Sequence, residues 1–217
     1  MSLRAILFDF DGTLANTALG IVKTMEQTFL RMGVPVPPEV DMVATIGIPL
    51  GQALQQLGNL TDGERQRAVD IYEELFVTYE VGYITLFPQV LETLQTLKER
   101  GMRMAIVTSR GKVSLDLIME RHGLTPFFET LVTNDDHLTP KPAPDMVQTL
   151  LQRMNLLPDE ALVVGDTTFD IEMGNRAGCR TIAVTYGNHS LERLLTAHPT
   201  FIVDKFEEIL NIGVSYT

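Results

Sequence analysis

Apolar and polar positions divide the chain into two regions with different patterns. Residues 3 to 8 are apolar apart from Arg4, which predicts a short strand buried on both faces. After residue 84, amphipathic helical stripes alternate with apolar runs at residues 104–107, 129–133, 161–165, 180–185 and 201–203. Because strands that alternate with helices are joined by right-handed crossovers, this pattern predicts an α/β fold, a doubly wound parallel sheet with helices on both faces.

Residues 15–83 instead carry helical periodicity and no convincing strand. Apolar side chains recur every three or four positions over residues 16–32 and 61–79, and a loop at 45–49 separates shorter helices. The stretch is too long for a loop in a compact domain, so we expect a small domain of its own. The expected division is an α/β core of residues 1–14 and 84–217 with an inserted α-helical domain of residues 15–83.

The composition limits which binding partners and which cellular compartment we expect for this chain. The chain of 217 residues has 17 Lys and Arg against 28 Asp and Glu, a net charge of −11, and no run rich in Lys or Arg. Nucleic-acid binding is therefore not expected. No apolar run approaches a membrane span, and the single Cys179 fits a reducing compartment. We expect a cytoplasmic protein without a membrane partner, as a monomer or a weak homodimer.

Polar residues collect where the predicted strands end. Asp9 and Asp11 follow the first strand, and Gly12 lets the chain turn sharply there. Later strand ends contribute Thr108, Ser109, Lys141, Asp166 and Asp170. Because parallel strands present their carboxyl ends at one edge, where such sheets bind ligands, we expect these side chains to meet.

Together these residue types suit a metal ion and a phosphate group. Carboxylate oxygens with room for water favour Mg²⁺ over zinc, and no Cys/His cluster competes. A hydroxyl group, backbone amides and a lysine suit a phosphate. Taken alone, each residue has an ordinary explanation: Asp11 and Gly12 form a common turn pair, Asp166 caps a helix and Asp170 lies on a solvated face. Only the combination favours a site.

Four short motifs in this order resemble those of the haloacid dehalogenase superfamily of phosphohydrolases. They are Asp9-Phe10-Asp11-Gly12-Thr13, Thr108-Ser109, Lys141 and Gly165-Asp166-Thr167-Thr168-Phe169-Asp170. The resemblance covers essentially the whole chain. Residues 15–83 resemble the helical cap that this superfamily inserts between its first and second motifs.

This resemblance implies a role for each motif. Asp9 would be the nucleophile that forms an aspartyl phosphate, and Asp11 would be the general acid and base. The transferring phosphoryl group would be held by Thr108, the Ser109 amide and Lys141. The ligands of Mg²⁺ would be Asp9, the carbonyl oxygen of Asp11 and Asp166, with Asp170 in support through water.

The substrate is narrowed by likeness to particular members of the superfamily. Mutases of the β-phosphoglucomutase kind carry a basic residue just past the cap loop, where this chain has Leu50 and Gly51. The loop at 45–49 is more similar to the caps of phosphoglycolate phosphatases and related inorganic pyrophosphatases. We therefore expect a small phosphorylated metabolite as substrate, a phosphoglycolate-like ester or pyrophosphate, with a sugar-phosphate mutase as the alternative enzyme.

Other residues are expected at the rim of the site or outside it. Those expected to contact the substrate or the cap are Thr45, Gly47, Arg110 and Lys23. The histidines His122, His189 and His198 are expected to be surface or capping groups.

A signalling receiver domain is the alternative that is not an enzyme. Such domains also place acidic residues, a Thr or Ser and a Lys-Pro pair on a parallel sheet. They are much shorter than this chain and have no helical cap, so the pattern favours the phosphohydrolase.

Overall fold

The computed structural model describes residues 3–212 of the chain. Its strands are β1 (Ala5–Phe8), β2 (Ala15–Asn16), β3 (Thr85–Leu86), β4 (Arg103–Val107), β5 (Thr130–Val132), β6 (Ala161–Gly165), β7 (Arg180–Val184) and β8 (Phe201–Val203). Its α-helices are α1 (Ala18–Met32), α2 (Glu39–Ala44), α3 (Leu50–Gly58), α4 (Asp62–Tyr79), α5 (Val90–Glu99), α6 (Lys112–Arg121), α7 (Asp145–Met154), α8 (Thr168–Arg176) and α9 (Leu191–Leu195). None of these helices is both long enough and apolar enough to cross a lipid bilayer.

Six strands form one parallel sheet in the order β5-β4-β1-β6-β7-β8. In this sheet β1 is central, and its Ala5 lies opposite Arg103 of β4 and Ala161 of β6. The chain builds outward from β1 on one side and then returns to build outward on the other. This arrangement confirms the predicted doubly wound α/β fold, and it reverses the strand order between β1 and β6.

The sheet is buried on both faces, as the nearly continuous apolar strands predict. Ile6 and Phe8 of β1 pack with α5 and α6 on one face. Ala5 and Leu7 point to the other face and pack with α7 and α8. The alternation along the strand therefore serves two cores that are separated by the sheet itself.

The four helices α1 to α4 share a separate hydrophobic core. Phe29 of α1, Leu54 of α3 and Tyr72 of α4 are buried within it. A capping box at the start of α4, between Thr61 and Glu64, satisfies backbone N–H groups there. The helical periodicity of this region is thus confirmed.

One detail differs from the expected absence of strands in residues 15–83. Ala15–Asn16 forms β2, which pairs antiparallel with β3, Thr85–Leu86. Two residues are too few for a periodic pattern, so sequence reasoning could not detect this strand. The pairing brings the start and the end of the helical region side by side.

Candidate active site

The candidate site lies where the order of the strands reverses. Asp9 directly follows β1 and Asp166 directly follows β6, and these two strands are neighbours at the centre of the sheet. In open α/β sheets, the crevice at such a switch point is the usual place for a ligand. Thr108 and Ser109 follow β4 at the same edge. The expectation that strand ends converge is therefore met by the backbone topology.

Two glycines allow acidic side chains to crowd into this crevice. Gly12 has a φ of +89°, and a Cβ atom there would lie 2.1 Å from Oδ2 of Asp166. At Gly165 a Cβ atom would lie 2.2 Å from the Cβ of Asp170. Any larger residue at either position would displace a carboxylate, so the glycines shape the site.

Three buried carboxylates and one lysine form the centre of the site. Asp9, Asp166 and Asp170 each offer an oxygen atom within 4.8 Å of the others. The ammonium of Lys141 lies 2.5 Å from Oδ1 of Asp9 and 2.6 Å from Oδ1 of Asp170. One lysine cannot balance the charge of three carboxylates that are nearly out of contact with water. A further cation would therefore stabilise the cluster.

The pKa shifts in the cluster follow from burial and from the close approach of opposite charges. Burial, reinforced by the nearby charge of Asp170, raises the pKa of Asp166 to about 7. Burial likewise raises the pKa of Asp9 well above its usual range, although Lys141 opposes this shift. Burial disfavours the charged form of Lys141, but the charges of Asp170 and Asp9 outweigh it and raise its pKa. The carboxylates are therefore short of positive charge.

Asp166 is held by residues that sequence reasoning missed. Its Oδ1 accepts a hydrogen bond from the Thr13 hydroxyl at 3.1 Å. Its Oδ2 accepts from the backbone N–H of Asn188 at 2.6 Å and from the Asn188 side chain at 2.9 Å. Asn188 lies in the loop after β7, at the same sheet edge, and a polar residue in that position is the signal that could have revealed it.

Asp170 belongs to the site and also caps the helix α8. Its Oδ2 accepts from the Thr167 hydroxyl at 2.6 Å and from the Thr167 backbone N–H at 3.0 Å. The next N–H, that of Thr168, donates to Nδ1 of His189 at 3.0 Å. His189 is buried, and burial lowers its pKa to about 4. His189 is therefore a capping group, one of the two roles expected for it, and it is buried at the start of α8.

Asp11 lies outside the three-carboxylate cluster and pairs with Arg110. The Arg110 guanidinium donates to Oδ1 of Asp11 at 2.6 Å and to Oδ2 at 3.0 Å. It also donates to Oε1 of Glu80 at 2.6 Å. The side chain of Arg110 is 7% exposed and that of Glu80 is fully buried. This ion-paired group, which we call the Asp11–Arg110–Glu80 chain, connects the first strand to the end of α4.

Glu80 is itself fixed by the hydroxyl of Tyr72, which donates to its Oε2. Sequence reasoning did not single out Glu80 or Tyr72, because both lie in or just after a helix whose periodicity already explained its apolar side. The one available signal is an acid between Tyr79 and Val81, at the point where the helical region returns to the sheet.

The loop at 45–49 touches the core beside the phosphate-binding candidates. The Ser109 hydroxyl donates to the carbonyl oxygen of Gly47 at 2.7 Å. The Thr45 hydroxyl lines the same cleft but donates to the carbonyl oxygen of Met42 at 2.7 Å. Lys23 is not among the residues that line the cleft, and its ammonium lies 5.2 Å from the centre of the Tyr83 ring. A contact of Lys23 with a substrate stays a prediction.

Residues 6–184 match the family described as haloacid dehalogenase-like hydrolase. The chain belongs to this family. The resemblance drawn from the four motifs is thereby confirmed, and so is the expectation of an enzyme in place of a receiver domain.

Relatives of this haloacid dehalogenase-like hydrolase align over nearly their whole length. It is 31% identical over 212 residues to the pyrophosphatase PpaX of Oceanobacillus iheyensis, covering 98% of this chain and 97% of the relative. It is 29% identical over 214 residues to a phosphoglycolate phosphatase of Pectobacterium atrosepticum, covering 96% and 92%. A haloacid dehalogenase-like hydrolase from Streptococcus pneumoniae has a similar structure, with a TM-score of 0.84 and 27% identity over 96% of this chain and 97% of that one.

A divalent cation fits the donor set of this hydrolase. The cluster of Asp9, Asp166 and Asp170 supplies hard carboxylate oxygens that are close together and buried. The raised pKa values of Asp9 and Asp166 reflect a deficit of positive charge that such an ion would supply. The described residues near the cluster include no cysteine ligand, since Cys179 is buried in the core on one face of the sheet.

Proposed function

We propose that this hydrolase is a Mg²⁺-dependent phosphatase that acts on a small phosphorylated metabolite through an aspartyl phosphate on Asp9. The observation that carries the proposal is the position of Asp9, next to Lys141 in a buried carboxylate cluster at the switch point of the sheet. The relatives named pyrophosphatase and phosphoglycolate phosphatase support a phosphorylated substrate. Phosphoglycolate-like esters and pyrophosphate are the candidates that the sequence suggests.

The proposed reaction has two displacements at phosphorus. In the first, a carboxylate oxygen of Asp9 forms a bond to phosphorus while the bond to the leaving oxygen breaks, and Asp11 gives that oxygen a proton. In the second, water attacks the phosphoryl group on Asp9 and loses its proton to Asp11. Inorganic phosphate leaves and both aspartates return to their starting forms.

Charge neutralisation is the main requirement of this chemistry, because a carboxylate must approach a phosphate. Lys141 contributes one positive charge beside Asp9. Asp9, Asp166 and the carbonyl oxygen of Asp11 would bind Mg²⁺, with Asp170 in support, and the ion would neutralise negative charge on the phosphoryl oxygens. Thr108 and the Ser109 amide would bind those oxygens from the β4 side.

We further propose that residues 15–83 act as a cap over a core formed by residues 1–14 and 84–217. The hydrogen bond from Ser109 to Gly47 supports this, since it joins a phosphate-binding candidate to the loop at 45–49. Thr45 and Gly47 line the cleft together with Arg110. Such caps exclude water and contact the leaving group while the core binds the phosphoryl group.

Trapping the intermediate tests the proposed function. With nitrophenyl phosphate, the leaving group needs no proton, so Asp11→Asn should still transfer phosphate to Asp9. Hydrolysis of the intermediate should then slow, since general base assistance is typically worth ~10²–10⁴-fold. Mass spectrometry with peptide mapping of the quenched Asp11→Asn protein in Mg²⁺ should therefore find phosphate on Asp9.

The matched control is Asp9→Asn, which keeps Asp11 but removes the nucleophile. This variant should neither turn over substrate nor carry phosphate. Phosphate on Ser109 or Asp11 of the parent enzyme, or normal turnover by Asp9→Asn, would contradict the proposal.

A further inference from the structure

The half of the cleft formed by the helical region is apolar. Its lining residues from that region include Ile21, Met25, Ile46, Ile48, Leu50 and Ala53. They line the same cavity as Asp9, Thr108 and Ser109, so a substrate whose phosphate binds at those core residues would place its leaving group near the apolar ones. The cavity has a volume of about 80 Å³, room for on the order of six water-sized groups. A leaving group here must be small.

The cationic side chains in and beside this cleft are already paired with carboxylates of the protein. Among the described residues that line it, the charged ones are Asp9, Asp11 and Arg110. Arg110 is bound to two carboxylates, at 2.6 Å from Asp11 and 2.6 Å from Glu80. Lys141 is buried and is bound to Asp9 and Asp170. A second anionic group on a substrate would therefore meet no guanidinium or ammonium that lacks a partner.

The cations of the helical region lie elsewhere. Lys23 stacks on Tyr83, and Arg31 pairs with Glu74 on the surface at 2.7 Å. The remaining two, Arg65 and Arg67, belong to α4 and do not line the cleft.

Three side-chain hydroxyls at the wall already donate to oxygen atoms of the protein. Thr45 donates to the Met42 carbonyl oxygen, Ser109 donates to the Gly47 carbonyl oxygen, and Tyr72 donates to Glu80. An ion that leaves water for this part of the cleft loses the water molecules that hydrate it and gains few hydrogen bonds from the protein in return. An anionic leaving group is therefore disfavoured relative to an uncharged one of the same size.

We infer that the preferred substrates are small phosphate monoesters whose leaving group is uncharged and largely apolar. This inference rests on the phosphatase activity proposed above. For the two candidates that the sequence suggests, phosphoglycolate and pyrophosphate, it predicts slower turnover than for an ester of the same size that lacks the second anionic group. The missing cation also disfavours a sugar bisphosphate, which the mutase alternative requires.

The test compares substrates that differ in charge but not in size. Acetol phosphate has a methyl group where phosphoglycolate has a carboxylate oxygen. With the full chain in Mg²⁺, kcat/KM for acetol phosphate should exceed that for phosphoglycolate at least ~10-fold, which corresponds to about 1.4 kcal/mol. Propyl phosphate should likewise exceed pyrophosphate.

A control on nitrophenyl phosphate separates the two proposals. Turnover of nitrophenyl phosphate together with equal or faster turnover of phosphoglycolate or pyrophosphate would overturn the substrate inference alone. If neither nitrophenyl phosphate nor acetol phosphate is turned over, the phosphatase proposal is overturned and the inference with it.

A variant at the cleft wall tests whether the missing cation causes the predicted substrate preference. Leu50 is half-buried at the start of α3, where a lysine side chain could reach the cavity. Leu50→Lys should shift the ratio of kcat/KM towards phosphoglycolate by ~10-fold, because it supplies the missing cation. Leu50→Gln, of similar length but uncharged, should not. Equal ratios in the two variants would contradict the role of charge.

Discussion

Arg110 is bound to two carboxylates that come from distant parts of the chain. Both Oδ atoms of Asp11 accept hydrogen bonds from its guanidinium, and Glu80 accepts from the same Nη2 atom. In this arrangement Arg110 orients the carboxylate of Asp11, the proposed general acid and base. Arg110 thus acts through Asp11, and we regard it as a positioning residue.

Replacing Arg110 should reveal the cost of unpairing two buried acids. Arg110→Met should lower the free energy of unfolding by about 3–5 kcal/mol, because Asp11 and Glu80 lose their shared partner in a poorly hydrated place. Arg31→Met is a matched control, since Arg31 also forms a 2.7 Å pair, with Glu74, but on the surface. It should cost at most about 1 kcal/mol. Denaturant unfolding measures both, and equal losses would show that the Asp11–Arg110–Glu80 chain is not buried in solution.

At the scale of elements, the loop at 45–49 connects α2 to α3 and reaches the core through Gly47. Gly47 has a φ of +107°, a backbone conformation that side chains disfavour. A Cβ atom there would lie 3.3 Å from Cγ2 of Thr167, so the glycine also permits close approach to the start of α8. The position of this loop therefore depends on one residue without a side chain.

Gly47→Ala should distinguish the effect of the loop's position on substrate binding from the effect of backbone strain on stability. It should raise KM for small phosphate monoesters more than it lowers kcat on nitrophenyl phosphate. The reason is that the loop moves away from Thr167 while the residues of the core keep their positions. Gly33→Ala is the control: Gly33 also has a positive φ of +73°, but a Cβ atom added there would meet no other residue within 4 Å. Both changes should cost about 1–2 kcal/mol of stability, and only Gly47→Ala should alter KM. A similar KM change in both would mean that the loop only supports folding.

At the scale of the molecule, charge connects folding to metal binding. The chain carries a net charge of −11, and three of its carboxylates are buried together. Among the described residues, the cation that pairs with this cluster is Lys141. A divalent cation that binds this cluster only in the folded state should stabilise the whole chain. Stability and activity should then depend on the same ion.

Mg²⁺ should raise the midpoint of thermal unfolding, and a chelator should remove both this rise and the turnover. At Mg²⁺ concentrations ~100-fold above its Kd, the gain should be about 2.7 kcal/mol. Asp166→Ala should abolish the response to Mg²⁺, whereas Asp159→Ala, a change at an exposed acid, should keep it. Full activity in excess chelator would contradict the proposed metal dependence.

Local signals explain which parts of the site the sequence could predict. Asp9, Asp11 and Asp166 are acids directly after apolar runs, so strand prediction and the geometry of parallel sheets bring them together. Glu80 and Tyr72 carry no such signal, since their importance arises from a tertiary contact with Arg110. The strand at Ala15–Asn16 was missed for a related reason, because only its partner at Thr85–Leu86 defines it. Patterns within a segment are visible in a sequence, whereas pairings between segments are not.

The β2–β3 ribbon has a consequence for how this architecture can change. Topologically, the helices α1 to α4 are an enlarged hairpin loop whose two ends are already held in register, Ala15 against Leu86 and Asn16 against Thr85. The cost in chain entropy of closing such a loop grows only slowly with its length. A different set of helices, or a turn of a few residues, could therefore join the same two strands without shifting the six-stranded sheet. The helical region proposed to face the leaving group could therefore be exchanged while the core proposed to perform the displacement stays intact.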